Sequence, residues 1–187
     1  MKRTFIAIKI HPGEKMLMIL DYFKQTLSAE KIKWVNSEIM HITLAFLGDT
    51  DEKIIPAISG KIHRISLDYS PFELVFRSAG VFKNFLDPRV IWIGTEMNPV
   101  LQKIKTRIDD ELSEYGFEKE LREFRPHLTL GRIKWIKNIP ALEQAIQKYK
   151  DQEVQRELIN EIIFNESILK PDGPVYLSIV NSPLLHK

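Results

Sequence analysis

The sequence predicts a bilobal α+β fold in which antiparallel sheets from a duplicated unit surround a central cleft. Three observations carry this expectation. Met40-His41-Ile42-Thr43-Leu44 and Pro126-His127-Leu128-Thr129-Leu130 are near copies, and their histidines lie 86 positions apart in a 187-residue chain. The elements around each histidine recur at about that offset, in the order strand, helix, strand, helix, strand. The junction Lys83-Asn84-Phe85-Leu86-Asp87-Pro88-Arg89 is too short for a flexible interdomain linker, so the two lobes are expected to pack together.

The elements follow in order. Residues 5–10 are β-rich, and residues 91–95 are their counterpart. A helix follows each, striped by Met16, Leu20, Phe23 and Leu27 in the first copy. Leu101, Ile104, Ile108 and Leu112 form the second stripe, which stops at Gly116. After each histidine strand comes another helix, one lined by Ile54, Ile58, Ile62 and Ile65, the other by Leu142, Ala145, Ile146 and Tyr149. Pro56 and Pro140 fall in their first turns, where a missing N–H costs least. Third strands are expected over residues 72–82 and 158–168. A final strand over 175–180 follows the turn Pro171-Asp172-Gly173-Pro174. The expectation is one domain over residues 1–187, with copies at 3–82 and 89–168; which strands exchange between lobes stays open.

Composition narrows the function classes. With 44% hydrophobic and 28% charged residues, the chain is neither disordered nor fibrous. It has no cysteine, which excludes a disulfide scaffold, a thiolate metal site and a cysteine nucleophile. A formal charge of +2 is small for a protein that coats long nucleic acid, because affinity scales with the phosphates neutralised. A small or terminal phosphate-bearing ligand fits it. The apolar run after Met1-Lys2-Arg3 is interrupted by Lys9 and stopped by His11-Pro12, too short for a signal peptide. No stretch approaches the ~20 apolar residues of a membrane span. The expectation is a soluble, cytoplasmic protein with no membrane partner. No histidine and carboxylate spacing offers convergent metal ligands, so no metal is expected.

Side chains alternate along a strand, so His41 projects with Thr43, and His127 with Thr129, while the intervening leucines and isoleucine point to a core. Next on the polar face stand Ala45 and Gly131, small enough for a ligand to lie beside the strand. Two such strands facing one cleft make a phosphate site with an acid and a base built in. The threonine hydroxyls would hold the non-bridging oxygens. Imidazoles with an ordinary pKa of about 6.5 allow one ring to be neutral and the other cationic near pH 7. The alternative is that both motifs are core strands whose histidines are hydrogen-bonded and inert.

The paired motifs resemble the HxTx signatures of the 2H phosphoesterase superfamily. Phe46-Leu47-Gly48, Arg89-Val90-Ile91-Trp92-Ile93-Gly94, Arg125-Pro126-His127-Leu128-Thr129-Leu130-Gly131-Arg132 and Gly173-Pro174-Val175-Tyr176 resemble its RNA 2′,3′-cyclic phosphodiesterase branch, the LigT-like proteins formerly called 2′–5′ RNA ligases. The resemblance runs from Arg3 to about Pro183. It implies a LigT-like bilobal fold, no metal or other cofactor, and hydrolysis of a 2′,3′-cyclic phosphate to a 2′-phosphomonoester. It makes His41 the proton donor and His127 the proton acceptor, with Thr43 and Thr129 beside them. The implied partner is RNA or a nucleotide with a 2′,3′-cyclic phosphate, tRNA fragments included, acted on by a monomer. Two alternatives remain: joining 2′,3′-cyclic and 5′-hydroxyl ends into a 2′–5′ bond, and a non-catalytic RNA-binding module.

Arg125 and Arg132 are candidate substrate-binding residues. Arg125 shares the His127 face if the strand extends past Pro126. Strict alternation puts Arg132 on the core side, and it reaches the cleft only if the strand ends or bulges at Gly131. Lys83 and Arg89 are read as solvated. Trp92 is assigned to the core, while Trp34 and Trp135, in charged surroundings, are the candidates for stacking a base. His11, His63 and His186 are expected to be inert.

Overall fold

The computed structural model describes residues 1–119, 122–171 and 173–185; His186 lies outside them. Nine strands and four helices run β1 (Lys2–Lys9), α1 (Glu14–Thr26), β2 (Lys31–Trp34), β3 (His41–Thr50), α2 (Ile55–Leu67), β4 (Phe72–Phe82), β5 (Val90–Thr95), α3 (Pro99–Ser113), β6 (His127–Trp135), α4 (Ile139–Lys148), β7 (Glu153–Ile159), β8 (Glu161–Lys170) and β9 (Gly173–Pro183) among the described residues. They form a four-stranded sheet, β3-β1-β8-β9, and a five-stranded sheet, β2-β6-β5-β4-β7, with every pairing antiparallel. The fold class is the one expected.

The four expected helices form on the expected stripes. Met16, Leu20 and Phe23 of α1 are buried, as are Ile58, Ile62 and Ile65 of α2. Pro56 and Pro140 each sit at a helix start. Asn98 and Asn138 cap α3 and α4 by accepting first-turn N–H groups, at 3.0 Å from Val100 and Leu101 and 3.1 Å from Ala141. α1 and α4 pack against each other beside β7 and β4, while α2 lies on β8 and β9 and meets α3.

The copies do not form separate sheets. β8, late in the chain, pairs with β1, so that Ile6 stands opposite Phe164 and both are fully buried. β4, from the first half, pairs with β5 and β7 of the second. Each sheet therefore contains strands of both halves, and one apolar cluster runs through the molecule. The strand expected over 158–168 is two strands in different sheets. β7 ends at Ile159 beside β4, the chain crosses at Asn160, and β8 begins at Glu161. The apolar run on both sides of Asn160 hides this break, since neither Gly nor Pro marks it. β2 was not expected; its alternation, Lys31-Ile32-Lys33-Trp34, is only four residues long. The final strand runs over 173–183, longer than 175–180 at both ends.

Because each sheet is completed by the other half, we expect fragments 1–83 and 88–187 to lack a cooperative thermal transition when separate and to regain one when mixed. A circular-dichroism melt checks this, and cooperative melting of either fragment alone would contradict it.

Candidate functional site

His41 opens β3 and His127 opens β6, and these strands approach each other where the two sheets meet. Both imidazoles are held in the same way. His41 Nδ1 lies 2.8 Å from the carbonyl oxygen of Ile39, and His127 Nδ1 lies 2.8 Å from that of Arg125. A carbonyl can only accept, so each Nδ1 carries the hydrogen and each Nε2 is the nitrogen that gains or gives up a proton. Aromatic rings fix the remaining freedom. Phe5 and Tyr176 lie 5.0 and 5.2 Å from the His41 ring, and Phe82 stands edge-on to His127 at 4.8 Å.

Both histidines line one cavity of about 860 Å³, together with Thr43, Thr129 and Arg132. Among the described residues neither threonine hydroxyl is engaged by another protein group, so both can donate to a ligand. The cavity wall carries four cations, Arg3, Lys33, Arg132 and Lys170, against one carboxylate, Glu38. That imbalance favours an anion.

Arg132 reaches the cavity through a bulge. Thr129 pairs with Trp92 but Gly131 pairs with Ile91, so β6 has one extra residue, Leu130, at that point. Leu130 and Gly131 are consequently both buried, and Arg132 is turned outward. β3 has the same irregularity: Thr43 pairs with Ala7 but Ala45 with Ile6, leaving Leu44 extra. A second bulge at Leu47 follows, closed by Gly48 in the left-handed region at φ 68°. Phe46 thus occupies in the first copy the place Arg132 occupies in the second, each five residues after its histidine. The bulges also correct the expectation for Gly131. A Cβ there would lie 2.8 Å from Ile32 and from Trp34, so the neighbouring strand β2 fills the space, and no ligand lies against this glycine.

The LigT like Phosphoesterase family profile matches the chain twice, over residues 9–92 and 93–176. The chain belongs to this family. Among its relatives, the RNA 2′,3′-cyclic phosphodiesterase of Methanocaldococcus jannaschii is 37% identical, over 93% of this chain and 96% of that protein. The protein of the same name from Methanothermobacter thermautotrophicus is 33% identical over 93% and 94%. The crystal structure of E. coli LigT in apo form superposes with a TM-score of 0.76 at 22% identity, over 99% and 98%, and shows the shared fold.

Not every candidate converges on the cavity. β6 starts at His127, so the strand does not extend past Pro126 and Arg125 does not share its face. The Arg125 guanidinium pairs with Glu123 at 2.9 Å and lines two neighbouring cavities; at the site itself only its carbonyl takes part. Trp34 lines the main cavity, whereas Trp135 is exposed and lines none of the three. Trp92 is not core. It pairs across from Thr129 on the cavity face of the sheet, lodged over Gly80, where a Cβ would come within 2.1 Å of the indole. Lys83 and Arg89 pair with Asp87. His11 contacts Glu157 at 3.0 Å, and His63 is exposed on α2. Arg3, Phe5, Phe82 and Tyr176 were missed as site residues. Their only sequence signal was indirect: Tyr176 falls in one of the resembling strings, and Phe82 and Arg3 flank the repeat copies.

Burial is the largest influence on both imidazoles and pushes both below the ordinary pKa of 6.5. The carbonyls of Ile39 and Arg125 oppose it, and the Arg132 charge adds to the lowering. The charge of His127 lowers His41 further. Instead of one neutral and one cationic ring, the protein alone favours two neutral rings at pH 7. An anion between them would raise both. We therefore expect both histidines to titrate below 6.5 by NMR, with the hydrogen on Nδ1 in the neutral form, and Arg132→Met to move both titrations upward.

Proposed function

We propose that the protein hydrolyses 2′,3′-cyclic phosphodiester ends of RNA or nucleotides to 2′-phosphomonoesters, without a metal. The observation that carries this reading is the pair of identically clamped imidazoles on one cationic cavity, with Thr43, Thr129 and Arg132 beside them. The relatives named RNA 2′,3′-cyclic phosphodiesterase support it over most of the chain.

In this reading His127 Nε2 takes a proton from water as the water oxygen bonds to phosphorus. His41, protonated at Nε2, gives its proton to the 3′-oxygen as the P–O3′ bond breaks. Thr43 and Thr129 donate to the non-bridging oxygens, and Arg132 offsets their charge. Because Nδ1 of each ring is already committed to a carbonyl, the proton traffic runs through Nε2 alone. The negative phosphate raises the His41 pKa on binding, which supplies the acid form. Proton exchange with solvent restores both rings. Arg125 is assigned to contacts farther along the substrate, in the adjoining cavities. The substrate ends include those of tRNA fragments, and the enzyme acts as a cytoplasmic monomer.

One observation favours a second reading, 2′–5′ ligation. A groove of about 1010 Å³ opens beside Thr43, Phe46 and His127 and leaves room for a strand bearing a 5′-hydroxyl where water would attack. Incubating cyclic-ended and 5′-hydroxyl RNA fragments together separates the two readings by product size.

His41→Ala and His127→Ala should each lower kcat on the order of 10²–10⁴-fold, the usual worth of a positioned acid or base. Thr43→Ala and Thr129→Ala should cost less, about 10- to 150-fold, one hydrogen bond to a charged group. Turnover at wild-type rate in either histidine variant, or its loss in EDTA, contradicts the mechanism. Against pH, kcat/KM should be bell-shaped. The acid limb reports loss of neutral His127, the alkaline limb loss of protonated His41, and with both pKa values lowered the maximum lies on the acid side of pH 6.5.

A further inference from the structure

We propose that Lys33 and Lys170 form a second phosphate subsite where β2 meets the tip of the β8–β9 hairpin, and that it takes the 5′-phosphate of the cyclic-ended nucleotide. The inference rests on the hydrolytic reading above and says which nucleotides that site prefers.

The main cavity carries more positive charge than a singly charged cyclic phosphate calls for. Arg3, Lys33, Arg132 and Lys170 line it, and none of them belongs to an ion pair among the described residues. Arg3 rests on the Phe46 ring, 4.8 Å from its centroid. Arg132 brings its charge near enough to lower both imidazoles. Lys33 and Lys170 remain as charge that the cyclic phosphate does not use.

Their placement is set by the two sheets. β2 pairs with β6 so that Lys33 stands directly opposite Arg132, and Ile32 opposite Ile133. Ile133 is buried, so the two cations share the cavity face. Like charges directly opposite each other destabilise a pair of strands. Among the described residues no carboxylate relieves this pair, since Glu38, the acid on the cavity wall, forms no ion pair. An anion bound beside them would. Lys33 Nζ reaches the hairpin tip, 3.8 Å from where a Cβ of Gly173 would lie. Gly173 is the partner of Lys170 in the β8–β9 pairing. Lysines of two different sheets are thus brought to one end of the cavity.

The second anion that a nucleotide with a 2′,3′-cyclic phosphate can offer lies one ribose away, on its 5′-oxygen. The cavity of about 860 Å³ is in the ~300–1,000 Å³ range of sites that enclose a whole small ligand, so ribose and both phosphates fit. The adjoining groove is a poorer host for that anion. Its Lys83, Arg89, Lys105, Lys119 and Arg125 are each already paired with an aspartate or glutamate.

The test compares four substrates: adenosine 2′,3′-cyclic phosphate, its 5′-phosphorylated form, the ApA dinucleotide with a 2′,3′-cyclic end, and that dinucleotide with an uncharged methylphosphonate linkage. Two exposed charge pairs correspond to roughly 2- to 30-fold in affinity. The wild type should favour the 5′-phosphorylated nucleotide over the nucleoside cyclic phosphate by about 10-fold in kcat/KM, through KM, and less in high salt. Lys33→Gln and Lys170→Gln should each shrink the preference, and Lys33→Arg should keep it. A preference shared by the dinucleotide and lost with the methylphosphonate assigns the subsite to RNA chains. A preference for the 5′-monoester alone assigns it to free nucleotides, and both outcomes support the subsite. Equal turnover of all four substrates overturns the proposal. So does a preference that Arg125→Gln abolishes while both lysine variants retain it, which would put the phosphate in the groove. Calorimetry with adenosine 2′-phosphate against adenosine 2′,5′-bisphosphate reads the same preference without turnover. Tighter binding of the bisphosphate that both lysine variants lose, in a protein that cleaves no cyclic phosphate, would keep the subsite and discard the hydrolytic reading. Equal binding of the two overturns the subsite alone.

Discussion

The pairing of β1 with β8 is the contact on which the molecule depends. Four residue pairs, Thr4 with Glu166 through Ala7 with Ile163, join the start of the chain to its last third. Ile6 and Phe164 meet there without any contact with water. Closing so long a loop costs entropy that grows slowly with length, while the buried area gained is large. Once that pair is made, β3 is carried to the sheet edge next to β6. The two histidine strands are neighbours because their sheets borrow strands from each other.

The site inherits its precision from backbone, not from other functional side chains. Each imidazole is tied to the carbonyl two residues earlier, on the residue that leads into its own strand. The tautomer therefore follows from main-chain geometry, and no buried carboxylate is needed to select it. The aromatic supports come from far apart in sequence, Phe5 and Tyr176 for one ring and Phe82 for the other. Burial of the imidazoles lowers both pKa values, and in the neutral rings Nε2 is the nitrogen without a hydrogen.

How much of this the sequence revealed depends on the range of the interaction. The helices were legible because their stripes are local, and His41, Thr43, His127 and Thr129 because alternation over three residues is reliable. Strand exchange was not, since nothing near Ile6 names Phe164 as its partner. The split at Asn160 failed for a related reason: a short apolar run reads the same whether it stays in one sheet or crosses to another. Arg132 was legible only conditionally. Gly131 permits a bulge without requiring one, and it is the register with β5 that decides. Arg125 failed the opposite way, because β6 begins one residue after Pro126.

The unequal residues at the fifth place after each histidine also break the symmetry of the cavity. A hollow with perfect twofold symmetry would accept a ligand equally well in two poses related by that rotation, and the two imidazoles would be interchangeable. With a guanidinium on one flank and a phenyl ring on the other, the two poses differ in energy. Duplication placed a matched pair of imidazoles on one cavity, and the residues five places after each histidine make its two flanks unlike.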